Sequence, residues 1–227
     1  MKIYAFIFAR GGSKGVPGKN IKLLADKPLL AHAVELANKI PDIDNVFVST
    51  DDEDIAKVAN QYGAEVIHRP KALAQDDTPE WLAWQHAIKW VNTKIGVFDV
   101  FVSLPTTSQL RNQLDIERCI NALDDNSDIV LTATETTRSP WFNMVSIDKK
   151  GNTKLLIDSS ESYSRRQDVP KAYSLTTVAY VARPEFIINF DHIFDGRVKS
   201  VMIPEERSID IDTELDFKIA NFLKRTQ

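Results

Sequence analysis

The chain has 227 residues, 43% of them hydrophobic, enough for one large domain with a substantial core or a domain with a small appendage. Its 28 cations against 32 carboxylates leave a net charge of −4, which argues against nonspecific nucleic-acid binding, since that affinity comes mainly from basic residues meeting phosphates. A single cysteine, Cys119, excludes an internal disulfide and argues against a zinc cage. The stretch before Arg10 is short and poorly flanked for a signal peptide and far from the roughly 20 residues of a spanning helix, so a cytoplasmic location with no membrane partner is expected.

Residues 3–9 form an apolar run that predicts a short buried strand. The next eleven residues hold four glycines, one proline and the cations Arg10, Lys14 and Lys19. Glycines let backbone N–H groups approach an anion, and the cations add charge where phosphate oxygens would sit. The plainer alternative is a surface turn with solvated cations. Asn20 stands where a P-loop needs Ser or Thr, and G-x-G-x-x-G is absent, which argues against a P-loop NTPase and a dinucleotide-binding enzyme.

Further on, 21–24 is a brief extended piece, 29–39 has helical apolar spacing, and 45–49 is a second buried strand. Asp51 or Asp52 is placed to cap a helix over 54–62, Gly63 closes it, and 65–68 is a third strand. This alternation predicts parallel strands with right-handed crossovers and a ligand beyond their carboxyl ends. A helix over 78–94 is expected to open at Asp77 or Thr78 with Pro79 in its first position. Its Trp81, Trp84 and Trp90 suit packing better than base stacking. Strand 98–104, a polar loop at 105–111, a helix over 115–123 with Cys119 on its apolar face, and strand 129–134 follow. From 135 to about 171 the pattern weakens into a β-rich arm with a hairpin turn at 148–152, and Trp141, Phe142 and Met144 are expected as an exposed partner surface. Strand 175–182, helix 184–189, strand 199–203 and an amphipathic helix over 213–225 complete the chain.

Near the end stands Ser-Ile-Asp-Ile-Asp-Thr, residues 208–213. On an extended backbone Asp210 and Asp212 share one face, and two such carboxylates suit Mg²⁺ held jointly with substrate phosphates. The alternative is that Asp212 only caps the last helix.

The loop ARGGSKGVPGKNI closely resembles the signature loop of the CMP-sugar synthetases, cytidylyltransferases that activate sialic acid and related acidic sugars, in its sialic-type rather than its Kdo-type form. SIDIDTELDF is similar to that family's C-terminal motif, VSTDDEDIA at 48–56 to its second block, HRP at 68–70 to the arginine-proline near the cytidine, and RRQDVP at 165–170 to its arginine-glutamine block. The resemblance implies a single 1–227 cytidylyltransferase domain of the α/β class. Its sheet would be Rossmann-like and mainly parallel with flanking helices, and the arm at about 135–171 would pack across a homodimer. It implies CTP and an acidic nonulosonic sugar as substrates, giving CMP-sugar and pyrophosphate, with Mg²⁺ (or Mn²⁺) as cofactor. By position, Arg10, Gly12, Ser13, Lys19, Asn20 and Arg69 would bind the nucleotide, and Asp210 and Asp212 the metal. Arg10, Lys14, Lys19 and Asp212 would serve catalysis, and Arg166, Gln167, Thr106 and Ser108 would meet the sugar. Two departures, Pro105 and Gln109 in the fourth loop and residues 174–177 after Tyr173, are expected in the sugar pocket. They leave open a binding module of the same fold with weakened turnover, or a transferase for a Kdo-type acid.

Overall fold

The computed structural model describes residues 1–13, 15–157, 163 and 165–226. In chain order it contains β1 (Ile3–Phe8), the two-residue strands β2 (Leu23–Leu24) and β3 (Lys27–Pro28), α1 (Leu29–Asn38), β4 (Asn45–Thr50), α2 (Glu53–Gln61), β5 (Glu65–His68), α3 (Glu80–Lys94), β6 (Val100–Ser103), α4 (Gln113–Ala122), β7 (Ile129–Glu135), β8 (Val145–Ile147), β9 (Thr153–Leu155), β10 (Tyr173–Ala182), α5 (Pro184–Asn189), β11 (Val198–Met202) and α6 (Glu214–Thr226). Seven strands form one sheet in the order β11-β7-β10-β6-β1-β4-β5. Its pairs are parallel except where β10 runs antiparallel between β6 and β7. This is the α/β, mainly parallel, Rossmann-like sheet that the resemblance implies.

Helices cover both faces, so the central strands are apolar on both sides, as buried parallel strands are. The period of two sorts them by size. Ile3, Ala5 and Ile7 of β1 face an aliphatic core with Val34, Val48, Val102 and Ile116. Tyr4 and Phe6 face an aromatic core with Phe47, Phe101, Trp81 and Trp84. The tryptophans of α3 therefore pack, as expected. Cys119 is fully buried in the aliphatic core, and burial pushes its thiol up to about 12, the state of an inert packing residue.

Capping resolves two expectations. Asp52 caps α2 by accepting from the N–H groups of Asp54 and Ile55 at 2.9 and 3.0 Å, which leaves Asp51 for another partner. At α3 neither Asp77 nor Thr78 caps: Pro79 precedes Glu80, and the Thr78 hydroxyl donates to the Ala72 carbonyl at 3.1 Å. The preceding loop holds Thr78 instead of the helix doing so.

The arm contains the expected hairpin, β8 against β9, with Asp148 and Asn152 closing the turn. Its apolar surface differs from expectation. Trp141 and Phe142 are half-buried, because the chain folds back in a tight turn on Ser139, and the exposed residues are Met144, Val145, Ile147, Leu155, Leu156 and Ile157, continued by Tyr173 and Leu175 on β10. Among the described residues no helix is long and apolar enough to cross a membrane.

Candidate active site

The carboxyl ends of β1, β5 and β6 open onto one cleft of about 480 Å³. The cation loop leaves β1 and is fastened at once: the Gly11 N–H donates to Asp51 at 3.0 Å, which is the role capping leaves to that carboxylate. Gly12 and Gly18 hold φ of +70° and +62°, the left-handed region where a side chain is strained. Between them Val16 is fully buried in a small core with Leu24, Leu29, Ile211, Phe217 and Ala220. That core joins the loop to the segment carrying Asp210 and Asp212. The two backbones pass so closely at Gly15 that a Cβ there would overlap the carbonyl oxygen of Asp212. We expect Gly15→Ala to force the loop and Asp212 apart and lower turnover about tenfold or more, with the melting transition of the folded variant as control; unchanged kinetics would show that the close approach has no role.

Convergence is also electrostatic. The Lys19 ammonium donates to the Ile211 carbonyl at 2.7 Å and pairs with Asp212 at 3.3 Å. Residues 208–213 form no strand, yet Ile211 turns into the core while Asp210 and Asp212 both border the cleft. The cap of α6 comes from Thr213 and Asp216, which exchange hydrogen bonds at 2.8 and 3.2 Å, so Asp212 is not a capping residue. Asn20 is buried as a brace, donating to the Arg10 carbonyl at 2.9 Å and accepting from the Thr106 hydroxyl at 2.6 Å. Arg10 reaches across to Asp76 at 2.7 Å and to the Ala74 carbonyl at 3.2 Å. Arg69 is buried, donates to the Ser49 carbonyl at 2.6 Å and hydroxyl at 3.1 Å, and lies over the Phe8 ring; burial lowers its pKa, with Glu80 and Asp51 opposing.

Two ionisable residues here escaped the sequence reading. Glu80 borders the cleft and keeps part of its surface exposed there, yet the protein packed around it pushes its carboxyl up, with the Trp84 indole and Arg69 opposing and the Asp210 charge adding to the effect. Tyr180 is pushed up to about 12 by burial and then by Glu80 and Asp210. In sequence Glu80 looks like any acidic residue in a first helical turn, and Tyr180 like any strand aromatic. Register between β10 and β7 shifts between Thr176 and Val181, and this irregularity is where Thr177 and Tyr180 border the cleft.

Residues 4–223 match the family model described as cytidylyltransferase. The chain belongs to this family. Among similar proteins is the CMP-N,N'-diacetyllegionaminic acid synthase of Campylobacter jejuni, 32% identical over 98% of this chain and 94% of the relative. Another is a pseudaminic acid cytidylyltransferase of the same species, 30% identical over 98% of this chain and 96% of the relative. In fold the chain is similar to a CMP:2-keto-3-deoxy-manno-octonic acid synthetase solved with CTP, at a TM-score of 0.73 and 15% identity, covering 100% of this chain and 99% of that one. The chain is thus a nucleotidyltransferase of the CMP-sugar synthetase type.

Of the residues expected in the site of this cytidylyltransferase, Arg10, Ser13, Lys19, Asn20, Arg69, Thr106, Asp210 and Asp212 border the one cleft. Gly12 shapes the loop beside it, and Lys14 lies outside the described residues. Ser108 is a correction: it is fully buried and bonds the Thr177 hydroxyl at 2.6 Å, while Thr107 and Thr177 face the cleft. Gln109 is another. It is buried, donates to the carbonyls of Leu29 and Thr106 at 2.9 and 2.7 Å, and does not border the cleft. Only Pro105 and Thr177, of the departing positions, border the cleft. Arg166 and Gln167 sit in an exposed turn of the arm and do not border the cleft of their own chain.

A divalent cation fits the acidic side. Among the described residues no cluster of three or more His, Cys, Asp or Glu is placed to hold a metal. Yet Asp210 Oδ1 is buried with no hydrogen-bond partner among the described residues, and Asp212 borders the same cleft. One or two carboxylates completed by substrate phosphates is the usual Mg²⁺ arrangement.

Proposed function

We propose that this cytidylyltransferase transfers CMP from CTP to the anomeric hydroxyl of an acidic, sialic acid-like nonulosonic sugar and releases pyrophosphate. The observation that carries the reading is the meeting of a cationic glycine loop with an acidic pair across one cleft, through Lys19 and Asp212. The names of the legionaminic and pseudaminic relatives support the sugar class.

In this reaction the sugar hydroxyl oxygen attacks the α-phosphorus in line, the bond to the bridging oxygen of the β-phosphate breaks so that pyrophosphate leaves with that oxygen, and the hydroxyl proton passes to solvent water. Arg10 and Lys19 hold the β and γ phosphates and steady the charge that grows on them as pyrophosphate leaves. To do so Arg10 exchanges Asp76 for phosphate, a swap that the partial exposure of this ion pair permits. Arg69 is pinned by Ser49 and places a fixed positive charge at the cytidine side. Asp210 and Asp212 would hold Mg²⁺, which supplies Lewis-acid stabilisation of the phosphate when bound. The arm supplies the remaining sugar contacts from a second copy: its exposed Val145, Ile147, Leu155 and Leu175 pack across a homodimer and bring Arg166 and Gln167 to the neighbour's cleft.

The test is pyrophosphate release with Mg²⁺, CTP and a panel of sialic, legionaminic, pseudaminic and Kdo acids, beside light scattering at micromolar protein. We expect release with a nonulosonic acid, at least a tenfold drop when CTP is replaced by UTP or ATP, and a dimer. CTP binding with no release from any sugar would favour the binding module, release only with Kdo would move the substrate, and a monomer would remove the shared site.

A further inference from the structure

A second cavity, of about 330 Å³, shares no lining residue with the cleft. It lies among the β2–β3 hairpin, α1, the loop before α4, and α6. Arg111 lines it and is only 3% exposed. One nitrogen, Nη1, donates to the Val178 carbonyl at 2.9 Å. Nε and Nη2 are buried with no partner among the described residues.

A buried guanidinium ordinarily has a carboxylate, because an uncompensated buried charge is costly. The nearby candidate, Asp115, is already taken: it accepts from Arg207 Nε and Nη2 at 2.8 and 3.0 Å and from the Asn112 N–H at 3.1 Å. The rest of the lining increases the imbalance. Lys27, Lys39 and Lys224 add three ammonium groups, and the one carboxylate, Glu35, is paired with Lys27. His32 bonds the Leu24 carbonyl at 2.8 Å, and burial lowers its pKa. Burial pushes Arg111 down to about 9 and also lowers Lys224, whose pKa is depressed further by Arg111, Lys27 and Lys39. Four cations against one carboxylate thus face a space large enough for a small molecule.

We propose that this cavity is a second ligand site, taking a small phosphate-bearing anion of charge −2 or more, with oxygens on the two free N–H groups of Arg111 and the ammonium groups of Lys39 and Lys224. Two parallel guanidinium donors suit an oxyanion edge, and lysines add charge around it. The proposal does not depend on the sugar or on turnover.

The test is calorimetric titration with inorganic pyrophosphate, without CTP. It uses the wild type, a Lys39→Glu/Lys224→Glu variant and an Arg10→Ala/Lys19→Ala variant. Lys39 is exposed and Lys224 half-buried, so both can be changed without opening the core; Lys39→Ala/Lys224→Ala replaces the first variant if charge reversal unfolds the chain. We expect two sites in the wild type, loss of one by at least tenfold in the Lys39/Lys224 variant, and its retention in the Arg10/Lys19 variant. Wild-type titration by the Lys39/Lys224 variant, or a single site that disappears with Arg10 and Lys19, would overturn the proposal. Malonate binding as tightly as pyrophosphate at the Arg10-independent site would overturn the phosphate class.

Discussion

Asp210→Asn should lower turnover by about two orders of magnitude or more and leave the melting temperature unchanged or higher. The two effects have one cause. Among the described residues Asp210 Oδ1 is buried without a hydrogen-bond partner, and an unpaired buried carboxylate oxygen is a cost to the folded state unless something occupies the cleft to meet it. Its charge also works against Glu80 and Tyr180, both of which it pushes up. Asparagine keeps the shape and removes the charge, so the folded protein loses a burden, while catalysis would lose the carboxylate we propose for the divalent cation. A residue kept for structure would behave oppositely, with stability falling and kinetics little changed. The measurements are pyrophosphate release and thermal unfolding on the same preparation. Near wild-type turnover in the folded variant would remove Asp210 from the machinery. Asp212→Asn should lose turnover similarly with little change in melting, because this side chain is largely exposed and, among the described residues, pairs with Lys19 at 3.3 Å.

Asp115→Ala should cost about 3–5 kcal/mol of stability, the usual effect of removing one member of a buried ion pair. Asp115 is fully buried, takes both guanidinium bonds of Arg207, and closes the capping box of α4 with Asn112. Its loss leaves Arg207 only the long contact with Glu206 at 3.6 Å and worsens the charge excess near Arg111, two penalties from a single change. For a chain of this length such a cost lowers the melting temperature by about 10 °C. Arg207 stands at the end of a short turn, three residues before Asp210, so the pair also ties the aspartate segment to α4. Arg207→Met should therefore lose less stability than Asp115→Ala, since the cap survives, but should reduce turnover in the folded fraction. Urea unfolding of both variants and the double variant gives the coupling between the two residues. Additive losses would show that the pair contributes nothing of its own.

Much of this molecule is written locally. The runs 3–8 and 46–48 are apolar without a polar break because helices cover both faces, and that local property announces buried parallel strands. Two short motifs likewise carry their chemistry in adjacent residues: glycines and cations in one, alternating aspartates and isoleucines in the other. The alternation at 209–212 held even though no strand forms, because burying Ile211 is enough to turn its neighbours to the cleft. Ser108 and Gln109 were misplaced for the complementary reason. In a loop with no fixed period, neighbouring positions can face a cleft, a core or another cavity, and only packing against Leu29 and Thr177 decides which.

Glu80, Tyr180 and Arg111 mark where local information ends. Each acquires its character from groups distant in sequence: Asp210 beside Glu80 and Tyr180, Arg207 claiming the carboxylate that Arg111 would otherwise use. By itself the chain's order of residues determined the βα alternation, the anion-seeking loop and the paired acids, because backbone preference and side-chain period act over a few residues. Only the tertiary structure decided that loop and acids share one cleft, that β10 runs against its neighbours, and which buried charges stay unpaired, because desolvation and Coulomb forces depend on distance in space.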